Sequence, residues 1–543
     1  MRHWNRRCGA WLTVTSTNYA TRPYFRKAPT HICSTPWPEK VASGLQNWNY
    51  HKPDSSYPRR HFHDERQNYN RASEKNMVSL SRQLAQWVVG LNYDDLPPAV
   101  VDRAKGVTLQ SLASVLLGSQ AASGKQAVEF ITGEESGVSQ GATIMVDGSK
   151  VTRGGAAFAN AEMAFLGGKW DTYRMLTHPG TSILPGAFVG AETSGASGKE
   201  FLTGVAAGYE VMERMASDFI PTVMARGFHA GPVFGIFGPA IAAAKMLNLD
   251  EDQVNSAIAL CVHLAAGNLE GPRNGGRALR EGAAVRNAML AVALARNGHV
   301  GGDTTLEGDA GFYHAYAGNN RGVLTHSFAG QTQTSLDKIT EGLGQDWMFL
   351  ETLYRIYSTA GYNIAHIDVS AQLCTEHDIK YEDVERVEAV VNWMETQYPS
   401  PAFPSRREDG ESKAGGTAYY TAYGVAMRGF PVLRSQQMGV PDGGGDPPEV
   451  LELMHRVKII PSHTMTLFGP RITVFTKDGK SYTKQSTGRE FIWDFNEEAR
   501  RIRDVVPGLP IPEAQFEEII ATCRDLDNQD RADRLIQLTV NQG

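Results

Sequence analysis

The segment KWDTYRMLTHPGTS, residues 169–182, concentrates polar side chains between stretches of small and apolar residues. It contains Lys169, Asp171, Thr172 and His178, and histidine is the side chain that titrates near neutral pH. The Pro-Gly pair after His178 predicts the start of a helix, and a helix N-terminus attracts anions. This pattern indicates proton exchange between His178 and a bound anion, although a residue that only caps the helix fits it as well.

Three further polar clusters interrupt the apolar sequence. The segment ARGFHAGPVFG places His229 before another helix of small residues, where a purely structural hydrogen bond is the plain alternative. GPRNGGRALREGAA contains Arg277, and LYRIYSTAGYNIAHID contains Arg355 and His366. Arginine binds carboxylates through two parallel hydrogen bonds, whereas a solvated loop or a packed interdomain helix explains these segments without a ligand. Together the clusters predict a cleft that binds a small polycarboxylate and transfers protons.

Several other classes of site have no support in the sequence. We find no metal-ligand set, no dinucleotide fingerprint and no GxxxxGK[ST] phosphate loop, and HFHDER at 61–66 is interpreted as a polar tail. A net charge of -6 gives no basic surface for nucleic acid. The five cysteines lie far apart without a C-x-x-C pair, which fits a reducing compartment. No stretch approaches the roughly 20 apolar residues that cross a bilayer.

The elements that must position these clusters are mainly helical. At 543 residues and 41% hydrophobic, the chain can bury a large core, and its length favours two or more structural units. Helical spacing begins at Met77, and Ala- and Gly-rich helices over 154–300 predict a compact bundle. Beyond about residue 350 the period changes to that of strands around a helix near 413–428, and the C-terminal residues return to helix. The strand-like segments are 384–393, 455–460 and 471–486.

Residues 1–76 differ from the rest, with 13 Lys or Arg against 5 Asp or Glu and no apolar period. The first 38 residues contain no acid, as is typical of a mitochondrial transit peptide. A disordered extension, or a start of translation at Met77, explains this composition equally well. We expect the segment to lie outside the folded core and the protein to be mitochondrial, with a cytoplasmic location as the alternative.

Several segments, in this order, resemble the MmgE/PrpD family, which includes 2-methylcitrate dehydratase and cis-aconitate decarboxylase. They are NAEMAFLGGKWDTY, THPGTSILPGAFVGAE, GYEVMERM, RGFHAGPVFGIFGPAIAAAKMLNLDEDQVNSAIAL and REGAAVRNAMLAVALARNGHVGGDTTLEGDAGFYHAY. The resemblance implies a mainly α fold with a large all-helical domain, 77–350, completed by C-terminal helices in 487–543. It also implies a smaller α+β lid, 351–486, no cofactor, no metal and a homodimer.

The resemblance also implies functional residues. Asp171 and His178 match the family's aspartate-to-HP segment, and Gly168 stands at the first acid of its double-aspartate pattern. Arg277 and Arg355 stand where the family generally has lysines. The catalytic residues implied are His178, Asp171 and His229, and the substrate-binding residues are Thr172, Arg277, Arg355 and Tyr420.

We therefore expect a lyase that acts on a small tricarboxylate. His178 would transfer the proton, Asp171 would orient or tune it, Arg277 and Arg355 would anchor carboxylates, and His229 would assist. The segment LTHPGTSILPGA resembles the decarboxylase branch of the family, which implies decarboxylation of cis-aconitate, or of an alkylated relative, to an itaconate-type product. Dehydration of 2-methylcitrate is the second expectation. A catalytically inactive family member that acts as a binding protein is the third, because both lysines are replaced.

Overall fold

The computed structural model describes residues 78–270, 281–357, 359–398, 400–403, 416–431 and 446–540, and the chain within these ranges is mainly α-helical. The helices are α1 Leu80–Gly90, α2 Pro98–Gly118, α3 Ala122–Glu135, α4 Arg153–Leu166, α5 Gly180–Ser194, α6 Gly198–Ala216, α7 Ile220–Ala225, α8 Ala230–Gly235, α9 Phe237–Met246, α10 Glu251–Leu264, α11 Glu281–Arg296, α12 Phe312–Ala317, α13 Gly361–Glu376, α14 Thr417–Met427, α15 Pro448–Leu453, α16 Phe495–Ile502, α17 Glu513–Arg524 and α18 Arg534–Thr539. The strands are β1 Ala142–Thr143, β2 Lys150–Val151, β3 Trp170–Thr172, β4 Leu353–Arg355, β5 Val384–Asn392, β6 Val457–Ser462, β7 Arg471–Thr476 and β8 Ser481–Gln485. Arg277, HFHDER and residues 1–76 lie outside the described residues.

Several helices begin after residues whose side chains satisfy free backbone N–H groups of the first turn. Ser79 accepts a hydrogen bond from the backbone of Arg82 at the start of α1, and Ser197 and Asp250 form capping boxes at α6 and α10. Pro98 occupies the first position of α2, where its missing N–H has no cost. These local signals fix where the helices start.

Small residues allow the central helices to pack at short distance. A Cβ added to Gly208 of α6 would lie 2.6 Å from the carbonyl oxygen of Gly238 in α9. A Cβ added to Gly186 of α5 would lie 2.4 Å from Cβ of Pro239. Any larger side chain would separate these helices. The mainly helical fold predicted from the Ala- and Gly-rich pattern is confirmed.

The strand-rich part of the chain forms a four-stranded sheet in the order β6-β5-β7-β8. β5 pairs parallel with β6 and antiparallel with β7, which forms a hairpin with β8. Buried side chains of this sheet, of α14 and of the C-terminal half of α13 form a hydrophobic cluster distinct from that of the large helical region. No helix in the described ranges is both long enough and apolar enough to cross a membrane.

A short antiparallel ribbon joins two segments that are distant in sequence. In this β3–β4 ribbon, Trp170 lies opposite Arg355 and Asp171 opposite Tyr354. Side chains alternate along a strand, so Trp170, Thr172 and Arg355 share one face, which we call the indole face. Asp171 and Tyr354 share the other, which we call the carboxylate face. The ribbon carries most of the candidate site.

Candidate functional site

A tight turn after β3 brings the chain back across the ribbon and positions His178. The backbone N–H of Tyr173 donates to the carbonyl of Thr177 at 3.2 Å, and the Thr177 hydroxyl donates to the carbonyl of Tyr173. Arg174 and Leu176 within the turn have φ angles of 52° and 58°. This left-handed conformation costs a non-glycine residue about 1 kcal/mol or more, and such strain is frequent at functional sites.

Two oxygen atoms fix the orientation of the His178 imidazole. Its Nδ1 lies 3.0 Å from the backbone carbonyl oxygen of Asp171 and 3.3 Å from Oγ1 of Thr172. A carbonyl oxygen only accepts, so Nδ1 carries a proton and donates it to Asp171. The atom of His178 that can exchange protons with a ligand is therefore Nε2.

The Trp170 indole is a packing platform on the indole face. The His178 ring centroid lies 4.5 Å from that of Trp170, and the Arg355 guanidinium carbon lies 4.4 Å from the centroid of the indole. The indole is fixed by stacking on Phe165 at 4.5 Å and by donating from Nε1 to the Phe165 carbonyl. Gln110 donates to the backbone carbonyl of Trp170 at 2.8 Å. Trp170 thus places the imidazole and the guanidinium beside each other.

Two buried cations lie close together here. Lys169 and Arg355 are 4% and 6% exposed. Burial lowers the pKa of Arg355 to about 10, and burial together with the charge of Arg355 lowers the pKa of Lys169 to about 8. Tyr362, Tyr398 and Tyr420 lie near enough to Arg355 to influence its pKa, whereas no carboxylate of the described residues pairs with it. An anionic ligand beside Arg355 would add a negative charge there.

The carboxylate of Asp171 points away from this group, into the core. Both of its oxygens accept the backbone N–H of Gly180 at 2.9 Å, and Oδ2 accepts the hydroxyl of Tyr209 at 2.5 Å. Burial raises the pKa of Asp171 to about 6 despite these hydrogen bonds. A Cβ on Gly180 would lie 2.7 Å from the Tyr209 hydroxyl, so glycine is required at this point. The carboxylate joins β3 to the first turn of α5 and to α6.

The space beside Asp171 is too small for a tricarboxylate. A cavity lined by Gln110, Ser114, Asp171 and Thr181 has a volume of about 10 Å³, which holds about one water molecule. Asp171 consequently acts on His178 through its backbone carbonyl and through its attachment to α5. A direct contact of its carboxylate with substrate does not fit this geometry.

His229 belongs to a second cluster. It precedes α8 and is 2% exposed. A Cβ on Gly231 would lie 2.9 Å from Cε1 of His229 and 3.0 Å from Oε1 of Glu281, so the imidazole and the carboxylate converge on this glycine. At the other end of α8, a Cβ on Gly235 would lie 3.3 Å from Oγ of Ser182 in the first turn of α5. Helix α8 therefore links the His229 cluster to the helix that follows His178.

Part of the chain matches the model of a known protein family. Residues 82–323, which include β3, His178 and His229, match the MmgE/PrpD N-terminal domain. This match assigns residues 82–323 to the MmgE/PrpD family. The family expected from the sequence segments is therefore confirmed.

Two Aspergillus proteins are among the curated relatives that the chain matches. The chain is 27% identical over 298 residues to the cis-aconitate decarboxylase-like protein oryM of Aspergillus oryzae, covering 52% of this chain and 59% of that protein. It is 24% identical over 293 residues to the cis-aconitate decarboxylase of Aspergillus terreus, covering 52% of this chain and 57% of that protein. The matched segment spans about three fifths of the length of these relatives.

The structure groups the predicted residues unevenly. It brings together His178, Thr172, Arg355 and the backbone of Asp171, and it places Tyr420 near Arg355. His229 lies in the second cluster, and Arg277 lies outside the described residues. In the described ranges, no group of three or more His, Cys, Asp or Glu residues could hold a metal ion. Sequence reasoning named Lys169 in the polar segment without giving it a role, and it did not identify Trp170, Tyr209 and Glu281.

Proposed function

We propose that this protein is a cofactor-independent carboxylic-acid lyase that decarboxylates cis-aconitate, or an alkylated relative of it, to an itaconate-type product. The observation that carries the proposal is the packing of His178 and Arg355 on one indole, with Lys169 adjacent. This arrangement combines a proton-transfer group with two buried positive charges. The names of the two Aspergillus relatives support the substrate class.

The reaction follows from what these groups do to a bound tricarboxylate. Arg355 and Lys169 hold substrate carboxylates, and their charge stabilises the negative charge that develops when the C–C bond breaks. Carbon dioxide leaves, and the electron pair of the broken bond is delocalised towards the neighbouring carboxylate. His178, protonated on both nitrogens, then donates the proton on Nε2 to carbon, while Nδ1–H stays on the Asp171 carbonyl. Solvent returns the proton to Nε2 after product release.

Dehydration of 2-methylcitrate is the second candidate, and Lys169 favours it. A hydroxyl leaving group needs a general acid, and an ammonium group with its pKa lowered to about 8 can donate a proton near neutral pH. Neutral His178 would take the proton next to a carboxylate through Nε2. The two reactions use the same residues in opposite proton-transfer directions.

Product identification separates these reactions. The purified full chain is incubated with cis-aconitate and, separately, with 2-methylcitrate, and carbon dioxide release and products are measured. We expect carbon dioxide and an itaconate-type acid from cis-aconitate, and loss of turnover in His178→Gln. Formation of the dehydrated acid from 2-methylcitrate alone would establish the second reaction. Binding of both acids without turnover would identify a binding protein.

We also propose that the protein is a homodimer located in mitochondria. The family resemblance supports the dimer, and the acid-free basic composition of the first 38 residues supports import. Light scattering of the purified chain tests the dimer. A fusion of residues 1–76 to a fluorescent reporter tests import, and a diffuse cytoplasmic signal would contradict it.

A further inference from the structure

Two ionisable side chains, His366 and Glu395, are buried together outside the reacting group. His366 lies in α13 and has no exposed surface, and Glu395 lies in the 3-10 turn Trp393–Thr396 after β5 and is 2% exposed. Nε2 of His366 lies 3.7 Å from Oε2 of Glu395. Among the described residues neither of these two atoms has a hydrogen-bond partner. They face each other across a gap slightly longer than a hydrogen bond.

The opposite end of each side chain is held by a different segment. Nδ1 of His366 lies 2.8 Å from the hydroxyl oxygen of Thr421, and that hydroxyl donates to the carbonyl of Thr417 at 2.9 Å. The Thr421 oxygen therefore accepts the Nδ1–H of His366. Oε1 of Glu395 accepts the backbone N–H of Phe468 at 2.9 Å. In this arrangement Nδ1 of His366 carries a proton. When one further proton lies on Nε2 or on the Glu395 carboxylate, these two groups attract each other.

The segments joined by this pair lie on two sides of the candidate site. Thr421 follows Tyr420, which influences the pKa of Arg355. Phe468 has a φ of 62°, and its ring reaches the start of α13. A Cβ on Gly361 would lie 3.3 Å from the Phe468 ring and 3.5 Å from Cγ2 of Thr172. The buried pair thus connects the helix of Tyr420 to the aromatic ring beside Thr172.

We propose that His366 and Glu395 are positioning residues that set the locations of Tyr420 and Phe468 relative to the site. Two apolar side chains of similar volume could be buried at these positions, and such replacements often leave the protein as stable as before. Stability alone therefore does not explain two ionisable groups here. Their hydrogen bonds are directional, and each reaches a different segment. The coupling between α14 and Phe468 follows from the contacts alone, and its effect on turnover rests on the proposed function.

Amide hydrogen exchange on the full chain tests the coupling without reference to activity. In His366→Phe, the Glu395 carboxylate loses the imidazole that faces it. We therefore expect hydrogen exchange of the Phe468 amide to be at least 10-fold faster. Thr375→Val is the matched control, because it removes a hydroxyl from the same helix that bonds only to the Ala371 carbonyl. Unchanged Phe468 exchange in a folded His366→Phe protein would overturn the proposal. If that variant does not fold, His366→Gln is measured against the same criterion.

A double-mutant cycle tests the effect on the site. We expect His366→Gln to lower kcat/KM about 10-fold in the wild-type background and less than 2-fold in Tyr420→Phe, because it acts through Tyr420. A purely structural defect would multiply the two losses, and that result would overturn the positioning role. If the wild-type chain turns over neither acid while exchange at Phe468 responds to His366, the proposed function fails and the coupling stands.

Discussion

The two faces of the β3–β4 ribbon differ in how their polar groups are held. On the indole face, Arg355 and His178 pack against Trp170, and the backbone carbonyl of Asp171 orients the imidazole. On the carboxylate face, Asp171 is bound by the backbone of Gly180 and the hydroxyl of Tyr209 within the core. Because side chains alternate along a strand, the groups proposed to react lie on one face of the ribbon, and the groups that hold the ribbon in the core lie on the other. Substitutions on one face, or behind it, test whether the other face responds.

The largest effect is expected from His178→Gln. Loss of a positioned proton-transfer group lowers turnover by about 10³-fold, and the amide cannot replace the imidazole. Unfolding temperature should change little, because the Asp171 contacts with α5 and α6 remain. Turnover of cis-aconitate and thermal unfolding are measured beside His299→Gln, which changes an exposed histidine. Full turnover in folded His178→Gln would show that the indole face does not transfer the proton through His178.

Substitution of Arg355 is expected to have the next largest effect. Arg355→Met removes a buried charge that would hold a substrate carboxylate, so KM should rise about 100-fold. Arg355→Lys should be intermediate, because it keeps the charge but loses the planar packing on Trp170. Arg386→Met is the matched control, since this guanidinium also lies over an aromatic ring, 3.6 Å from Phe475, but in the sheet. Equal KM values for all variants would show that Arg355 does not bind substrate.

Behind the carboxylate face, Glu498 offers a test by pH. It is fully buried, and burial raises its pKa to about 8, above its usual value of 4.5. Since the folded-state pKa is the higher one, the contribution to stability is full below about pH 4.5 and is lost as pH rises through 8. Glu498→Gln should abolish this loss, worth a few kcal/mol, and so stabilise the protein at pH 8.

The control for this pH dependence is the neighbouring Glu497. Hydrogen bonds from Arg500 and Arg501 lower its pKa to about 2, so its contribution to stability is lost only at low pH. Unfolding free energy is measured from pH 5 to pH 8 for both glutamine variants. A slope that persists in Glu498→Gln, or disappears in Glu497→Gln, would contradict the assignment. Turnover at pH 7 should be unchanged in both.

Much of the fold follows from local sequence signals. The starts of α1 and α2 at Ser79 and Pro98 follow from capping preferences, which act within a few residues. The strands after residue 384 were visible because β5 and β7 alternate over 6 or more residues. The helical fold and the change of period near residue 350 rest on such patterns.

The site was only partly predictable, because it depends on pairing between distant segments. β3 and β4 are three residues each, too short for an alternating pattern, so the contact of Trp170 with Arg355 has no local signal. The sequence predicts that Asp171 orients or tunes His178, without indicating which of its atoms does so. The structure shows its backbone carbonyl in that position and its carboxylate on the opposite face. Trp170 within KWDTY was the available clue to the indole face.

The smallest effect, and the sharpest separation of the two faces, is expected from Tyr209→Phe. Removal of its hydroxyl deletes one hydrogen bond to Asp171 and should cost about 1–2 kcal/mol of unfolding free energy. It should also raise the pKa of Asp171 above about 6, since the Tyr209 hydrogen bond lowers that pKa. Turnover should fall less than 3-fold, because the carbonyl that orients His178 is unchanged.

Tyr313→Phe is the control for Tyr209→Phe, since its buried hydroxyl donates to the neutral carbonyl of Met215 at 2.9 Å. It should lower stability by a similar amount without changing the pH dependence that Asp171 imposes between about pH 4 and pH 6. In wild type that contribution is full at the lower pH and is lost as pH rises through 6. A fall in kcat for Tyr209→Phe as large as that of His178→Gln would mean that both faces take part in proton transfer. A loss of stability without a loss of turnover would show that the Asp171 carboxylate only holds the ribbon in place.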